Sequence, residues 1–541
     1  MDLGRGIFFI ALLGVCALPV NAQRPSAIPS QNPSAGQVSE PLQETDGQSS
    51  LTIKVNSQLV QLDVVVRNAK GELVRGLSSN DFSVFEDDVP QKVVAFEATS
   101  PVQTGGSATR IDSTAELDGR EPEAPVTILV LDELATTFED EFFARYSVEK
   151  YMSKQGEVLD QPMMLIARTV DRTMELCDYT TSKKKILQAL DRHLAGNDWR
   201  NQNPNYRDVQ MGAAFASLIE IAKATEGHAG HKNLIWIGRG FPSLRWADMQ
   251  RAQADVLQQA VSQCVDLLRQ ARITLYVIDP AGVSVNAGAQ DENGFITPDD
   301  PFGGAIDFDS IASATGGQSM HGRNDVDHLI DKAVANGEAF YTLAYRPSSP
   351  ADADPKQFRR IKVVPKDSSL TVISRQGYFP GLSPAPVALT DANGKLTEGS
   401  QFDLASAISG LMVFDGVPLT VTRPNPPSND IQISFPVSAI GLSLSDDKLI
   451  GDVTLITLSY DRFGKIVARN GRVVSLHLAP MPPGQVENRT VQLATVLPQI
   501  PAARMRFVVR ANTNGKIGTD NLFLVDPGTL KDPVTGLKTQ R

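Results

Sequence analysis

Four continuous apolar segments, separated by stretches with helical spacing, constrain the fold of this chain more than any other feature. Strands exposed on one face alternate apolar and polar residues, whereas strands covered on both faces are apolar throughout. Continuous strands that alternate with helices indicate a doubly wound, mostly parallel α/β sheet. The sequence therefore predicts such a domain over 125–380, with buried strands at 126–131, 162–167, 233–238 and 273–279.

Helices are predicted between these strands. The first runs from Phe138 to Lys154, where Phe142, Tyr146 and Tyr151 fall at helical intervals. A final strand is expected at 340–345, and a strand pair within 357–379 would close the domain. The other predicted helices cover 182–194, 209–225, 249–270, 308–314 and 325–335.

Short alternating segments flank the α/β region on both sides. Their period of two and their intervening turn residues predict β-sandwiches of immunoglobulin-like kind. Polar stretches rich in Gly, Pro and Ser separate the modules and are interpreted as linkers. The predicted boundaries are a small sandwich at 51–98, a linker at 99–124, a connector at 381–400, a C-terminal sandwich at 401–527 and a tail at 528–541.

The N-terminus has the pattern of a secretory signal peptide over 1–22. Arg5 precedes an apolar run, and Ala22 ends a small-residue cleavage site. Residues 23–50 are rich in Pro, Ser and Gln, which favours a flexible linker. The chain is therefore expected to be exported, periplasmic or secreted. The mature part contains no run of 18 apolar residues, so no membrane span is predicted.

The net charge bears on which partners the chain can bind, and the cysteines and histidines bear on disulfides and metal sites. A net charge of -11 argues against nucleic acid as a partner. Cys177 and Cys264 remain after signal cleavage, and their apolar surroundings favour free thiols, with a disulfide as the alternative. His228 and His231 are interpreted as loop histidines, because a zinc pair would need further ligands.

The α/β region and its neighbours resemble the von Willebrand factor A (vWA)-related proteins of Acidobacteria. The resemblance covers about 55–380, and each matching segment is weak when taken alone. It is strongest in Lys232 to Pro242, which reads KNLIWIGRGFP. The other matching segments are 64–71, 77–87, 131–136, 276–280, 314–317, 341–345, 358–363 and 375–379.

This resemblance implies a metal-ion-dependent adhesion site at the carboxyl edge of the sheet, where oxygen ligands hold Mg²⁺ or Ca²⁺. The family motif begins with Asp-x-Ser-x-Ser. This sequence keeps Asp132 but places Leu134 and Thr136 at the serine positions. Arg239 stands where a later Asp is expected, and its charge would repel a divalent cation. The resemblance therefore implies a degenerate site in which Asp132 pairs, with Arg239 as the candidate partner.

The predicted function is protein–protein binding or assembly, with an unknown protein partner and no required cofactor. Two alternatives stay open: a metal-dependent Mg²⁺ or Ca²⁺ adhesion module that uses Asp132 and Thr136, and an unrecognised hydrolase. No catalytic motif is present, so no catalytic residue is predicted and the chain is not expected to be an enzyme. The predicted binding residues are Asp132, Glu133, Thr136, Thr137, Arg239 and Ser243.

Overall fold

The structure is a computed structural model of the 541-residue chain. The predicted signal peptide, the linker at 23–50 and the polar stretch at 99–109 lie outside the described residues. The structure describes residues 59–98, 110–169, 172–193, 207–282, 302, 305–337, 339–348, 358–380, 389–390, 396–410, 412–425, 428–445, 448–479, 489–525, 530–531 and 538–539.

Helices and strands are numbered separately along the chain. The helices are α1 Thr114–Arg120, α2 Phe138–Lys154, α3 Lys183–Arg192, α4 Arg207–Ala224, α5 Arg251–Gln270, α6 Phe308–Thr315, α7 Val326–Asn336 and α8 Glu398–Ser409. The strands up to the end of the α/β region are β1 Val60–Arg67, β2 Phe82–Glu86, β3 Val89–Gln91, β4 Val93–Ala98, β5 Val126–Asp132, β6 Val158–Arg168, β7 Thr173–Ser182, β8 Lys232–Ile237, β9 Leu244–Arg245, β10 Ile273–Ile278, β11 Ala305–Ile306 and β12 Ser319–Met320.

The remaining strands follow the α/β region. They are β13 Tyr341–Tyr345, β14 Arg359–Pro365, β15 Thr371–Ser374, β16 Gly377–Tyr378, β17 Thr420–Thr422, β18 Asp430–Pro436, β19 Ser443–Ser445, β20 Lys448–Tyr460, β21 Ile466–Leu478, β22 Thr490–Val496, β23 Arg504–Ala511, β24 Ile517–Phe523, β25 Leu530–Lys531 and β26 Lys538–Thr539.

The central sheet has six strands in the order β12-β10-β8-β5-β6-β7. All neighbouring pairs are parallel except β6 with the edge strand β7. Strands β5, β8 and β10 are buried along their whole length, as their continuous apolar sequences predict. The predicted doubly wound α/β fold is confirmed for this sheet, whose last strand in sequence ends at Met320 rather than near residue 380. The order reverses between β5 and β8, so the carboxyl ends of these two strands meet at the switch point where such sheets bind ligands.

Helices cover both faces of this sheet. Residues from α2, α3 and α7 share one core with the sheet, and residues from α4, α5 and α6 share the other. Helix α2 begins where it was predicted because Thr137 caps it, accepting a hydrogen bond from the backbone of Asp140 at 3.3 Å. The loops at the carboxyl edge therefore connect strands and helices that are packed in these two cores.

The strands around the α/β region pair differently from the prediction. Strand β13 lies between β1 and β4, and β14 pairs with β2, so residues 60–98 and 341–378 build one sandwich together. Its two four-stranded sheets share one core. Strands β1 to β4 alone supply only part of each sheet, so 51–98 is not a separate sandwich. The predicted last strand of the α/β sheet, 340–345, belongs to this sandwich instead.

The predicted linker at 99–124 is only partly a linker. Within its described part, helix α1 is capped by Ser113 and buries Leu117 in the core beside the central sheet, where Ile111 is buried as well. Helix α8 likewise crosses the predicted boundary at 400, and it begins at a Thr397 cap. Helix α1 has seven residues, too few to give a clear periodic pattern.

Strands β17 to β24 form two sheets, β17-β18-β22 and β19-β20-β23-β24, with β21 paired to β20, and β25 pairs with β26. The two sheets share a core of their own. This module also packs on the α/β domain, since Phe414, Leu458 and Val508 belong to the core that contains α4 and α5. Arg506 is fully buried there and donates to the carbonyl oxygens of Ala407 and Met412 at 2.7 Å each.

Two further predictions concern the described residues. Cys177 and Cys264 are free thiols, and Cys264 is buried. The helices within the described ranges include none that combines the length and hydrophobicity of a membrane span.

Candidate functional site

Asp132 ends β5 at the switch point and is the best-connected side chain of the carboxyl edge. Its side chain has no solvent exposure. Oδ1 accepts hydrogen bonds from the backbone N–H groups of Leu134 and Ala135, both at 3.2 Å. The same oxygen accepts from the guanidinium of Arg168 at 2.7 Å, and Arg168 is buried as well. Three donors therefore converge on one carboxylate oxygen.

The second oxygen of Asp132 has two further donors from the neighbouring strand. Trp236 Nε1 donates to Oδ2 at 2.9 Å, and the backbone N–H of Gly240 donates at 3.1 Å. Gly238 has φ +149°, and a Cβ there would stand 2.5 Å from the Asp132 Cβ. The KNLIWIGRG segment thus wraps around Asp132, and glycine is needed for that close approach.

The predicted pairing of Asp132 with Arg239 was wrong. Arg168, from the end of the neighbouring strand β6, is the partner instead. Parallel pairing places Arg168 directly beside Asp132 in the sheet register, whereas Arg239 lies outside the strand on the solvent side. The sequence signal was an arginine that ends a buried strand, where a charge needs a partner.

The environment of Asp132 fits a divalent cation poorly. Five hydrogen-bond donors occupy its two oxygens, and one of them is a positively charged guanidinium. Leu134 is buried and has no side-chain oxygen. Among the residues that the structure describes, no cluster of three or more His, Cys, Asp and Glu side chains could hold a metal ion.

A second set of buried polar side chains consists of Glu133, His193 and Glu141. The Nε2 atom of His193 is hydrogen-bonded to the Glu133 carboxylate, and both side chains are buried. Glu141, in the first turn of α2, is 4% exposed. Burial, followed by the negative charge of Glu133, raises the pKa of Glu141 to about 8.

The solvent side of the edge carries a chain of charges from two helices, α2 and α6, and from the loops after β8, β10 and β12. Arg239 Nε lies 3.3 Å from Asp279 Oδ1, and its Nη2 lies 3.7 Å from Asp140 Oδ2. His321 Nε2 lies 2.9 Å from Asp309 Oδ2, and its Nδ1 lies 3.6 Å from Asp279 Oδ2. The five side chains alternate in sign around the edge, and Arg239 is the one that belongs to the predicted binding residues.

His321 is the titratable centre of this network. Burial alone lowers its pKa, but the hydrogen bonds and charges of Asp279 and Asp309 outweigh burial and raise the pKa to about 10. The imidazolium therefore carries a positive charge at neutral pH. It holds the loop after β12 against the loop after β10, which stiffens the edge around Arg239.

The structure separates the predicted binding residues into two groups. Asp132, Glu133 and Thr136 are buried. Thr137 and Ser243 are exposed, and the Arg239 side chain is 49% exposed. A macromolecular ligand can therefore touch only the second group, and the first group positions the loops that carry it.

The fold and this edge define the class of the central domain as a doubly wound α/β domain with a hydrogen-bonded aspartate at its switch point. No family model matches the chain, and no curated protein matches it. Among solved structures, the chain is similar to the vWA domain of SpRpn10 at 12% identity and a TM-score of 0.19, over 29% of this chain and 74% of that one.

Two other solved structures are similar over different parts of the chain. Human COPII-coat protein Sec24c has 9% identity and a TM-score of 0.20, with 80% of this chain and 49% of that chain covered. An endonuclease/exonuclease/phosphatase from Beutenbergia cavernae has 16% identity and a TM-score of 0.11, with 35% and 38% covered. At these scores no functional conclusion follows, and the class of the domain rests on its own strand order.

Proposed function

We propose that this chain is an exported protein whose vWA-type domain binds a protein partner at the carboxyl edge of its central sheet, without a required metal. The flanking sandwiches would be immunoglobulin-like modules that carry this domain. The resemblance to acidobacterial vWA-related proteins and the signal-peptide pattern before Ala22 support this proposal. Fold alone does not fix function, so the proposal depends on the edge itself.

The single observation that carries the proposal is that both carboxylate oxygens of Asp132 accept hydrogen bonds from donors within the chain. In a metal-dependent site this aspartate would leave an oxygen for the cation. Here Arg168, Trp236 and three backbone N–H groups take both oxygens. The edge is thereby preorganised by the chain's own donors, and a rigid surface loses little conformational entropy on binding.

The exposed rim offers the chemistry of a protein-binding surface. Arg239 presents a half-exposed guanidinium that Asp140 and Asp279 hold in place. Thr137 and Ser243 are exposed residues that carry hydroxyl groups. Arginine is enriched at protein interfaces because its planar group makes several hydrogen bonds at once.

The proposal is tested by capture of partners from the exported fraction by crosslinking, in buffers with Mg²⁺ or with EDTA. We expect a partner bound equally in both buffers by the wild type, and at least tenfold less by an Arg239→Glu, Ser243→Trp double variant. A matched control is Arg245→Glu, which changes an exposed arginine beyond the rim. Capture that requires Mg²⁺ would favour the metal-dependent alternative, and capture unaffected by the double variant would overturn the proposed surface.

A further inference from the structure

Helix α2 exposes a row of aromatic side chains that begins at the rim of the candidate site. Phe138, Phe142 and Tyr146 are 54%, 68% and 52% exposed. They stand four residues apart, so they lie on one face of the helix. Val148 and Tyr151 on the opposite face are buried in the core, which fixes the orientation of the row.

This aromatic row, Phe138, Phe142 and Tyr146, is large for a solvent-exposed surface. At roughly 200 Å² per aromatic side chain, these exposures leave on the order of 300 Å² of ring surface in contact with water. Scattered exposed hydrophobic residues are normal, whereas a contiguous apolar patch of a few hundred Å² matches the largest patch of a typical monomer, and such patches are often functional. The row spans about 12 Å along the helix axis, or two helical turns.

Two exposed carboxylates, Glu139 and Glu149, lie on the same side of α2 as the row. The basic residues of the helix are engaged within the chain. Arg145 donates a hydrogen bond to the carbonyl oxygen of Leu190, and Lys150 and Lys154 both pair with Asp327. The charged groups left to meet a partner that covers the rings are therefore Glu139 and Glu149.

We propose that the aromatic row binds an amphipathic helix of the partner protein, one that carries lysine or arginine beside its apolar residues. The apolar side chains would cover the three rings, as facing helices pack side chains of one into grooves of the other. The basic side chains would pair with Glu139 and Glu149 and stack on exposed ring faces. This inference rests on the proposed function and extends its surface from the rim along α2.

The test uses the full chain and two synthetic helices of about 15 residues, the length at which isolated helices become stable. Both carry the same leucine stripe, one with lysine and one with glutamate at the polar positions. Fluorescence anisotropy measures binding of each. We expect the lysine peptide to bind with a Kd on the order of 10 μM and the glutamate peptide at least tenfold more weakly.

Two variants test the residues. A Phe138→Ser, Phe142→Ser, Tyr146→Ser variant should weaken the lysine peptide at least tenfold, and Glu139→Gln with Glu149→Gln should lower its salt dependence. The changed side chains are exposed, so the melting temperature should stay near that of the wild type. Phe463→Ser removes an equally exposed ring at 55% exposure in the C-terminal module and should leave binding unchanged.

Several outcomes would overturn the inference. These are equal binding of the two peptides, no binding of the lysine peptide, or binding that survives loss of the three rings. Sedimentation that shows a dimer, converted to monomer by the ring variant, would mean that a second copy covers the row. If the Arg239→Glu, Ser243→Trp variant loses partner capture while the ring variant keeps it, this inference fails and the proposed function stands. If instead the ring variant loses partner capture and the Arg239→Glu, Ser243→Trp variant keeps it, the aromatic row is the binding surface and the proposed surface around Arg239 is wrong.

Discussion

Removal of the Arg168 charge is the strongest perturbation that the site offers. Arg168 and Asp132 form an ion pair with 1% and 0% of their side chains exposed. Arg168→Met keeps the length of the side chain and removes its positive charge. The Asp132 carboxylate then stays buried with its four neutral donors and without its counter-ion, at the junction of β5, β6 and β8.

The expected cost is about 3–5 kcal/mol of unfolding free energy, the usual result of removing one partner from a buried ion pair. Arg168 also donates to the carbonyl oxygen of Gln210 at 3.2 Å and lies 5.7 Å from the Trp236 ring centroid, so its loss also removes packing. A domain with a stability of about 5–15 kcal/mol would lose a large part of it.

Urea unfolding followed by tryptophan fluorescence and circular dichroism measures this cost. Arg239→Met is the matched control, because its ion pair with Asp279 is half-exposed and should cost below about 1 kcal/mol. If Arg168→Met and Arg239→Met lower the free energy of unfolding by the same amount, the burial of the Arg168–Asp132 pair does not set its contribution to stability.

Three further predictions concern pH and processing. The raised pKa of Glu141, about 8 against a usual 4.5, means that the folded state disfavours its ionised form. Stability should therefore fall as pH rises from about 4.5 through 8. In urea unfolding, Glu141→Gln should match the wild type near pH 4 and exceed it at pH 9, whereas Glu149→Gln, on the exposed face, should follow the wild type at both. Equal pH profiles for Glu141→Gln and the wild type would contradict this expectation. The pKa of His321 is raised to about 10 from 6.5, so its stabilisation is complete below pH 6.5 and is lost as pH rises through 10. Thermal unfolding of His321→Gln should show a deficit at pH 6 that closes near pH 10, and a constant deficit would argue against charge as its cause. Mass spectrometry of the exported protein should find Gln23 at the mature N-terminus, and an intact Met1 would contradict signal cleavage.

Local patterns were sufficient to predict the α/β domain. Helix α2 occupies Phe138–Lys154 as its apolar spacing indicated, and β5 and β8 coincide closely with their continuous apolar runs. The position of Asp132 at the carboxyl edge followed from the same pattern, because it comes directly after a buried strand. These features depend on residues that are close in sequence, and the spacing of apolar residues along the chain is enough to predict them.

The same local patterns do not predict which strands or side chains pair when they are far apart in sequence. Alternation in β1 shows that one face is buried but does not name the strand beside it, which is β13, some 280 residues later. The Arg168 partner of Asp132 depends on strand register in the same way. His231 was interpreted as a loop histidine, yet it is buried and binds Asp63 of the sandwich at 2.9 Å, a contact that only the split-sandwich topology creates.

The most direct test of the account is thermal unfolding of the full chain with Mg²⁺, Ca²⁺, Mn²⁺ or EDTA. A cation that binds only the folded state at about 100 times its dissociation constant adds about 2.7 kcal/mol of stability and raises the melting temperature. We expect the same melting temperature in all four conditions, because donors of the chain itself fill both oxygens of Asp132. A cation-dependent rise that disappears in Asp132→Ala would contradict the account and establish a metal-dependent adhesion site.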